Sequence, residues 1–400
     1  MSYLALGRAA SQGATPVFAT LGGTTPTSSP TATTTPYSSG FTVVDSPNIG
    51  GGINELLGVS ARAANDAWAV GYYTSGGIPR TLALHWNGRA WDISSTPNQG
   101  VRQNTLQAVA ARAAGDAWAV GYYEDSRGVL KTLALHWNGR RWVIIPTPNK
   151  GRGDNALYGI TQLPTSAAWA VGYYADKNNV MQTLIQRWNG RAWRIVASPN
   201  NPGALNRLFA ISANAIDSAW ATGVSVDGSG RSTPLIERWN GTKWSIQPFD
   251  ALDTEQQQLN SVSAVDAGNT IAVGYYFPTI TNTESLALRW SGGDWTDTGG
   301  PNPIGTGNVL QGVSSVSANN AWAAGTQYNA GFLPQTLLMQ YDGGVWSHIT
   351  SPNSGSGANY LNGVSALPGD VWAVGSYNNE ASVGRTLILR LRRSSLKKRG

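Results

Sequence analysis

The spacing of the tryptophans is the feature that most restricts how this chain can fold. All 17 tryptophans fall into three columns, each a set of residues with the same place in successive copies of one repeat of about 51 residues. The first column is Trp68, Trp118, Trp169, Trp220, Ile271, Trp322 and Trp372. The second is Trp86, Trp137, Trp188, Trp239, Trp290 and Tyr341, and the third is Trp91, Trp142, Trp193, Trp244, Trp295 and Trp346. Such a constant period predicts a repeat architecture in which each copy is one structural unit.

Each copy contains four segments that read as strands. In the first complete copy they are residues 56–61 (LLGVSA), 67–73 (AWAVGYY), 81–86 (TLALHW) and 91–95 (WDISS). Apolar side chains alternate along them, as in Trp68, Val70 and Tyr72, which is the periodicity of a strand. Four short strands in a unit of about fifty residues are typical of a β-propeller blade, closer in length to kelch than to WD repeats.

Two further columns set the number of blades. A leucine begins the first strand of every copy: Leu56, Leu106, Leu157, Leu208, Leu259, Leu310 and Leu361. A glycine follows the apolar run of every second strand: Gly71, Gly121, Gly172, Gly223, Gly274, Gly325 and Gly375. The missing side chain is expected to let a neighbouring tryptophan approach the backbone or to permit a bulge. Seven occurrences predict seven blades.

The two ends of the chain predict how the ring closes. The seventh copy stops after its third strand at Leu391. The segment from Phe41 to Asn48 (FTVVDSPN) matches residues 193–200 (WRIVASPN), which form a fourth strand, although it stands before the first copy. Pairing these two ends leaves no open blade edge. The predicted fold is therefore all-β: a seven-bladed β-propeller of four-stranded antiparallel blades whose last blade is completed by the N-terminal strand.

Composition and charge divide the chain into three parts. Residues 1–40 are rich in Thr, Ser and Pro and predict a disordered or extended segment, residues 41–391 form the propeller, and residues 392–400 are a basic tail. Six basic and no acidic residues lie between Arg390 and the end, so the net charge of +6 arises there and residues 1–389 carry none. A basic propeller face for sequence-specific nucleic-acid binding is not indicated, although the tail could touch anionic surfaces.

Several kinds of chemistry are disfavoured by the residues available. The chain has no cysteine, which excludes disulfides and zinc–cysteine sites. His85 and His136 occupy a column otherwise filled by arginine or glutamine, and neither metal-ligand spacing nor a Ser-His-Asp arrangement is found. We therefore expect no metal, no cofactor and no catalytic set of this kind. No stretch is apolar and long enough to predict a transmembrane segment.

The repeat motifs resemble those of a known family. Residues 116–121 (DAWAVG) and 136–139 (HWNG), with the SPN that ends the fourth strand, are similar to the repeats of secreted bacterial tryptophan-rich propellers. The resemblance covers residues 41–391, and it implies a propeller fold and an exported protein. The chain is similar to kelch and WD-repeat proteins in architecture only. The Thr/Pro tract also favours a secreted or cell-surface location, although no export signal is evident.

Candidate binding residues lie where the repeat is least regular. Loops between the second and third strands, and between the fourth strand and the next copy, open on one face and vary most. At the edge of this face, or in its loops, lie the candidate ligand-binding residues Tyr73, Tyr123, Tyr174, Tyr276, Tyr377, Arg102, Arg152 and Arg207. The alternative is that the tyrosines, which recur, serve inter-blade packing. The tryptophans are interpreted as packing residues.

These observations favour a non-enzymatic extracellular binding scaffold whose partner is a glycan or another surface protein. A polysaccharide-active glycosidase or lyase is the first alternative, and a glycosidase would need two carboxylates facing each other. A structural or adhesive surface protein is the second alternative.

Overall fold

A computed structural model describes residues 40–392, except 250, 251, 253, 255, 280, 281, 301 and 304–306. The predicted Thr/Ser/Pro-rich segment and the basic tail therefore lie almost entirely outside the described residues. All regular structure in the described range is β-strand. Among these residues we find no helix able to cross a membrane.

The strands follow the sequence repeat. Strand β1 (Phe41–Val43) precedes the first copy. Repeats one and two contain β2 (Asn54–Ala63), β3 (Asp66–Ser75), β4 (Ile78–Trp86), β5 (Trp91–Ile93), β6 (Asn104–Ala113), β7 (Asp116–Glu124), β8 (Leu130–Trp137) and β9 (Trp142–Ile144). Repeats three and four contain β10 (Asn155–Gln162), β11 (Ala168–Ala175), β12 (Met181–Trp188), β13 (Trp193–Val196), β14 (Leu205–Ala215), β15 (Ser218–Val226), β16 (Ser232–Trp239) and β17 (Trp244–Ile246). Repeats five to seven contain β18 (Gln257–Asp266), β19 (Asn269–Thr279), β20 (Asn282–Trp290), β21 (Trp295–Asp297), β22 (Gly307–Ser317), β23 (Asn320–Tyr328), β24 (Pro334–Tyr341), β25 (Trp346–Ile349), β26 (Asn359–Leu367), β27 (Asp370–Asn378) and β28 (Gly384–Arg392).

Within each repeat the strands form an antiparallel sheet in chain order. The pattern β2-β3-β4-β5 recurs along the chain, and a single parallel bridge between Thr283 and Gly307 also joins the fifth and sixth sheets. The last sheet has the order β1-β28-β27-β26. There Phe41 lies opposite Leu391 and Val43 opposite Leu389, so the N-terminal strand pairs with the last strand of the chain.

The recurring glycine is required by a close approach within its own blade. A Cβ atom added to Gly71 would lie 1.9 Å from the carbonyl oxygen of Glu55 on the adjacent first strand. The strand pairing shifts between Leu56 and Gly58 at this level, which is a β-bulge. Of the two roles expected for the glycine, the structure supports the bulge, because the nearest atoms are backbone atoms of the same sheet.

Aromatic edge contacts hold neighbouring sheets together. Trp68 of the first repeat meets Trp142 of the second with ring centroids 4.9 Å apart and planes at 82°. Trp372 of the last repeat meets Trp91 of the first in the same way, at 5.1 Å and 85°. Phe41 takes the place of a third-column tryptophan, and its ring lies 5.7 Å from Trp322. Most tryptophans are therefore buried between sheets, and Trp137 and Trp188 are half-buried there, which agrees with the packing role that the sequence predicts.

First strands of consecutive repeats lie side by side and are linked by serine side chains. The backbone N–H of Ala111 donates to Oγ of Ser60 at 3.0 Å, and that of Ala366 donates to Oγ of Ser314 at 3.0 Å. The N–H of Ala61 donates to Oγ of Ser365 at 2.9 Å, so the same link joins the last repeat to the first. We call the side on which these first strands meet the inner side.

The Asn of each SPN motif fastens the end of the fourth strand. In the first repeat the motif reads Thr96-Pro97-Asn98, and Oδ1 of Asn98 accepts the N–H of Thr81, at the start of the third strand's apolar run, at 3.0 Å. Asn48 accepts the N–H of Thr386 at 3.0 Å in the same manner, and the hydroxyls of Ser46 and Thr386 lie 2.8 Å apart. The segment after β1 thus repeats the contacts of an ordinary fourth strand.

Candidate functional site

The five candidate tyrosines lie on separate blades. Each is half-buried and packs against one of the hydrophobic clusters between sheets: Tyr73, Tyr123, Tyr174, Tyr276 and Tyr377. The Tyr276 hydroxyl donates to Oε2 of Glu284 at 2.5 Å, and Nζ of Lys150 lies 4.3 Å from the centre of the Tyr174 ring. Among the described residues no ring contact joins any two of the five. Their surroundings favour packing as their main role.

The three candidate arginines lie in different environments. Arg102 is exposed, and its Nη1 is 2.8 Å from Oε1 of Glu124. Arg152 is exposed in the loop before β10. Arg207 is half-buried on the inner side, on β14. The eight candidates are therefore not brought together into one site, and only Arg207 belongs to the cluster described next.

A cluster of aromatic and charged residues lines the inner side of four consecutive repeats. We call it the inner arc, and its members are Glu55, Tyr72, Tyr122, Tyr158, Tyr173, Arg207 and Phe209. All of these residues lie beside the β-bulge that recurs in each repeat. Each is next to the buried leucine of a first strand or directly after the glycine of a second strand. Glu55, for example, pairs with Tyr72 in the register of β2 and β3.

The inner arc has two layers that differ in exposure. Tyr72, Tyr122 and Tyr173 are nearly fully buried, with 5%, 6% and 2% of their surface exposed. The other members, which come from first strands, are half-buried: Glu55, Tyr158, Arg207 and Phe209. The second-strand tyrosines therefore support the arc from behind, and the first-strand residues are the ones that a ligand could touch.

Glu55 forms the acidic end of the arc. Its Oε2 accepts a hydrogen bond from the Tyr72 hydroxyl at 2.7 Å, and its Oε1 accepts one from Nδ2 of Asn362 at 3.1 Å. Asn362 comes from the last repeat and also donates to the carbonyl of Leu56 at 2.9 Å. Burial raises the pKa of Glu55 above its usual value, although both hydrogen bonds act in the opposite direction. Burial, followed by the charge of Glu55, raises the pKa of Tyr72 as well.

Aromatic rings form the middle of the arc. The ring of Tyr158 lies 6.4 Å from Tyr122, 6.0 Å from Tyr173 and 5.9 Å from Phe209, centroid to centroid. Burial raises the pKa of Tyr173 to about 12, and burial also raises that of Tyr158. The hydroxyls are therefore neutral at physiological pH, and each can both donate and accept a hydrogen bond.

Arg207 forms the basic end. Its Cζ lies 5.7 Å from the centre of the Phe209 ring. Its Nε atom is buried and has no hydrogen-bond acceptor among the described residues. Besides burial, the charge of the nearby Asp154 carboxylate contributes to the raised pKa of Tyr173. One oxygen of this carboxylate already accepts the backbone N–H of Leu130 at 2.9 Å. The arc therefore includes a guanidinium whose Nε donor is not used by any described residue.

Most of this cluster was missed from the sequence, although a signal was present. The column directly before the first-strand leucine reads Glu55, Thr105, Ala156, Arg207, Gln258, Val309 and Tyr360, and no residue type occurs twice. A column that changes in every copy of an otherwise regular repeat serves something other than blade packing. Only Arg207 was selected, because it also lies at the end of a variable loop.

The described residues offer no arrangement typical of a metal site. No group of three or more His, Asp or Glu side chains that could hold a metal ion is found in this part of the chain. His85 and His136 instead bond to Asp66 and Asp116, at 2.9 Å each, and lie against the first-column tryptophans.

Radially packed, four-stranded antiparallel sheets define a β-propeller, and this class agrees with the solved structures that the fold matches. The chain is similar to YCF48 bound to a D1 peptide (TM-score 0.54, 15% identity, 89% of this chain and 97% of that one). It is similar to the WD40 propeller domain of Doa1, with a TM-score of 0.54, 11% identity, and coverage of 89% of this chain and 98% of that one. It is also similar to a PL25 ulvan lyase bound to -[GlcA(1-4)Rha3S]-, with a TM-score of 0.54, 11% identity, and coverage of 84% of this chain and 93% of that one. No protein-family profile and no curated protein matches the chain. At such identities the similarity establishes the fold alone, and the predicted all-β propeller of four-stranded antiparallel blades is confirmed.

Proposed function

We propose that this protein is a non-enzymatic scaffold that binds saccharides at the inner arc. The observation that carries the proposal is the row of half-buried first-strand side chains, Glu55, Tyr158, Phe209 and Arg207, set on a buried layer of tyrosines. Aromatic faces pack against the apolar faces of sugar rings, and convergent polar groups fix the orientation of a ligand. The arc supplies both kinds of group within a few ångströms of each other.

We also propose that the ring has seven blades and is closed by β1. Three contacts support this proposal: Phe41 against Trp322, Asn48 with Thr386, and Ser365 with Ala61. Each reproduces at the junction of the chain ends a contact that other repeats make internally. A closed ring would hold the arc rigid, because its members come from four consecutive repeats and Asn362 reaches them from the last.

The proposed location is the cell exterior, either secreted or attached to the surface. Support comes from the Thr/Ser/Pro-rich composition of residues 1–40 and from the resemblance of the repeats to secreted bacterial tryptophan-rich propellers. A surface glycan is then the accessible partner class, and another surface protein is the alternative.

The test is a glycan array followed by titration of the best ligand into purified variants. Tyr158→Ala removes the ring that contacts Tyr122, Tyr173 and Phe209, and we expect at least a tenfold loss of affinity. Tyr123→Ala and Tyr174→Ala are the matched controls, because these tyrosines pack on sheet cores away from the arc. An array without hits, or a loss confined to the two controls, would count against the inner arc.

A second candidate, a polysaccharide lyase, is favoured by one observation. Tyrosine hydroxyls lie near the guanidinium of Arg207, whose Nε has no acceptor in the described part of the chain, and proton abstraction beside a carboxylate needs both a neutralising cation and a base. The high pKa of Tyr173, about 12, weakens it as a base and makes binding the preferred function. Release of unsaturated products from a uronate polysaccharide, abolished in Arg207→Gln, would establish the lyase instead.

A further inference from the structure

We infer that Arg207 makes the inner arc selective for saccharides that carry a carboxylate, the uronic-acid class. This inference rests on the proposed saccharide binding and adds the chemical class of the ligand. It concerns one contact, between the guanidinium and the carboxylate of a sugar, with Tyr158 and Phe209 providing the neighbouring ring surface.

Several arginines of the blades bond to a carboxylate, whereas Arg207 has no carboxylate partner among the described residues. Arg390 is buried and reaches Asp370 through Nε and Nη2, at 2.8 and 2.7 Å. Arg62 bonds to Asp66, and the exposed Arg102 bonds to Glu124. Taking a guanidinium partly out of water is costly unless an acceptor replaces the water. A ligand carboxylate would supply that acceptor for Arg207.

The repeat also indicates that Arg207 is not needed for packing. Its column holds Thr105, Ala156 and Val309 in other repeats, so a blade forms without a charge at this position. Arg187 makes a useful contrast, because its Nε is also buried without an acceptor. However, Arg187 stands in the column of His85 and Arg390, and its guanidinium lies 5.0 Å above the Trp169 ring. That column has a structural use that the Arg207 column lacks.

The geometry of the arc favours a single carboxylate at one end. A planar guanidinium binds a carboxylate through two parallel hydrogen bonds, and the aromatic ring of Phe209 fixes the plane from one side. At the opposite end, Glu55 accepts hydrogen bonds and would disfavour a second acidic group. The expected ligand therefore places a uronate at Arg207 and a neutral sugar towards Glu55.

The experiment compares a uronic-acid oligosaccharide with the same oligosaccharide after chemical reduction of its carboxyl groups. Calorimetry on the full-length protein is expected to give tenfold to a hundredfold tighter binding of the acidic form, as charge-assisted hydrogen bonds do. Arg207→Gln is expected to bind both forms with the weaker affinity. Arg102→Gln, which alters an exposed arginine outside the inner arc, is the matched control and should keep the preference. Melting temperatures of both variants establish that the fold is intact.

The outcomes separate the two proposals. Equal affinity of the unaltered protein for the acidic and reduced forms would overturn the inference about Arg207 and leave saccharide binding standing. A preference that survives in Arg207→Gln would also overturn it. No binding of either form would overturn it too, and the glycan array would then decide separately whether the arc binds saccharides. Binding of an acidic peptide in their place would assign the arc to a protein partner.

Discussion

At the scale of single residues, the most unusual side chain is a buried acid outside the inner arc. Glu237 on β16 is 0% exposed, and its two carboxyl oxygens share the hydroxyl of Ser198 from the neighbouring repeat, at 3.1 and 2.9 Å. The same column holds Leu84, Leu135, Gln186, Leu288, Met339 and Leu389. Burial raises the pKa of Glu237 from 4.5 to about 8, because one hydroxyl cannot replace the water around a carboxylate.

This residue is expected to make stability depend on pH. Glu237 ionises near pH 4.5 in the unfolded chain but only near 8 in the folded one, so its contribution is complete below pH 4.5 and is lost as the pH rises to 8. The loss is on the order of 5 kcal/mol of unfolding free energy. Glu237→Gln, which copies Gln186 of the previous repeat, should remove most of this dependence. Chemical denaturation at several pH values measures it.

The matched control is Glu380→Gln, an exposed acid in the loop between β27 and β28. It should leave the pH profile of the unaltered protein unchanged. A profile that is equally steep with and without Glu237 would contradict the assignment.

At the scale of elements, β1 is three residues long and yet buries an aromatic anchor. Phe41 is 4% exposed and belongs to a cluster with Leu361 and Leu389, whereas Val43 on the same strand is 45% exposed. One face of this short strand therefore carries its attachment, and hydrogen bonds to β28 fix its register.

Phe41→Ala should reduce the free energy of unfolding by about 3 to 5 kcal/mol, the usual cost of emptying a buried aromatic site. Val43→Ala alters the same strand at its exposed face and should cost less than about 0.5 kcal/mol. Equilibrium denaturation of both variants gives the comparison. If the two costs were equal, Phe41 would not be the anchor.

Strands and turns were predictable because their signals are local and occur many times. Alternating apolar residues identify the strands. The NG pairs, which favour tight turns between strands, have positive φ angles at their glycines, such as 96° at Gly88 and 87° at Gly139. The bonding of Asn54 was not predicted, although its column holds asparagine in six of the seven copies. Its buried amide accepts the N–H of Ile49 and donates to the carbonyls of Ile49 and Gly52, which closes the loop before the strand. The recurrence marks a structural role, but it does not show which backbone groups the amide bonds.

At the scale of the whole molecule, the repeat made the architecture predictable, whereas the site depends on how repeats face each other. Glu55, Tyr158 and Arg207 are separated by tens of residues and belong to one cluster only because their first strands lie along the inner side of consecutive repeats. Sequence variation marks such positions, but it does not reveal which of them share a surface.

Removing the closing segment is expected to affect the entire ring. A chain without residues 1–48 loses β1, Ser46 and Asn48, and we expect it not to unfold cooperatively, because the last blade is then left with an open edge. A chain without residues 1–38 keeps all of these groups and should melt at the temperature of the full-length protein. Circular dichroism during heating distinguishes them, and identical melting curves would refute closure by β1.

The column that precedes the first-strand leucine has an evolutionary consequence. Its residues range from Ala156 to Arg207 and Tyr360, while the leucine beside each of them is fully buried. Under the proposed function, stability and recognition belong to adjacent but separate positions, so a propeller built by duplication could exchange its recognition residues blade by blade. Combinatorial replacement of this one column should generate proteins that share a melting temperature and differ in what they select.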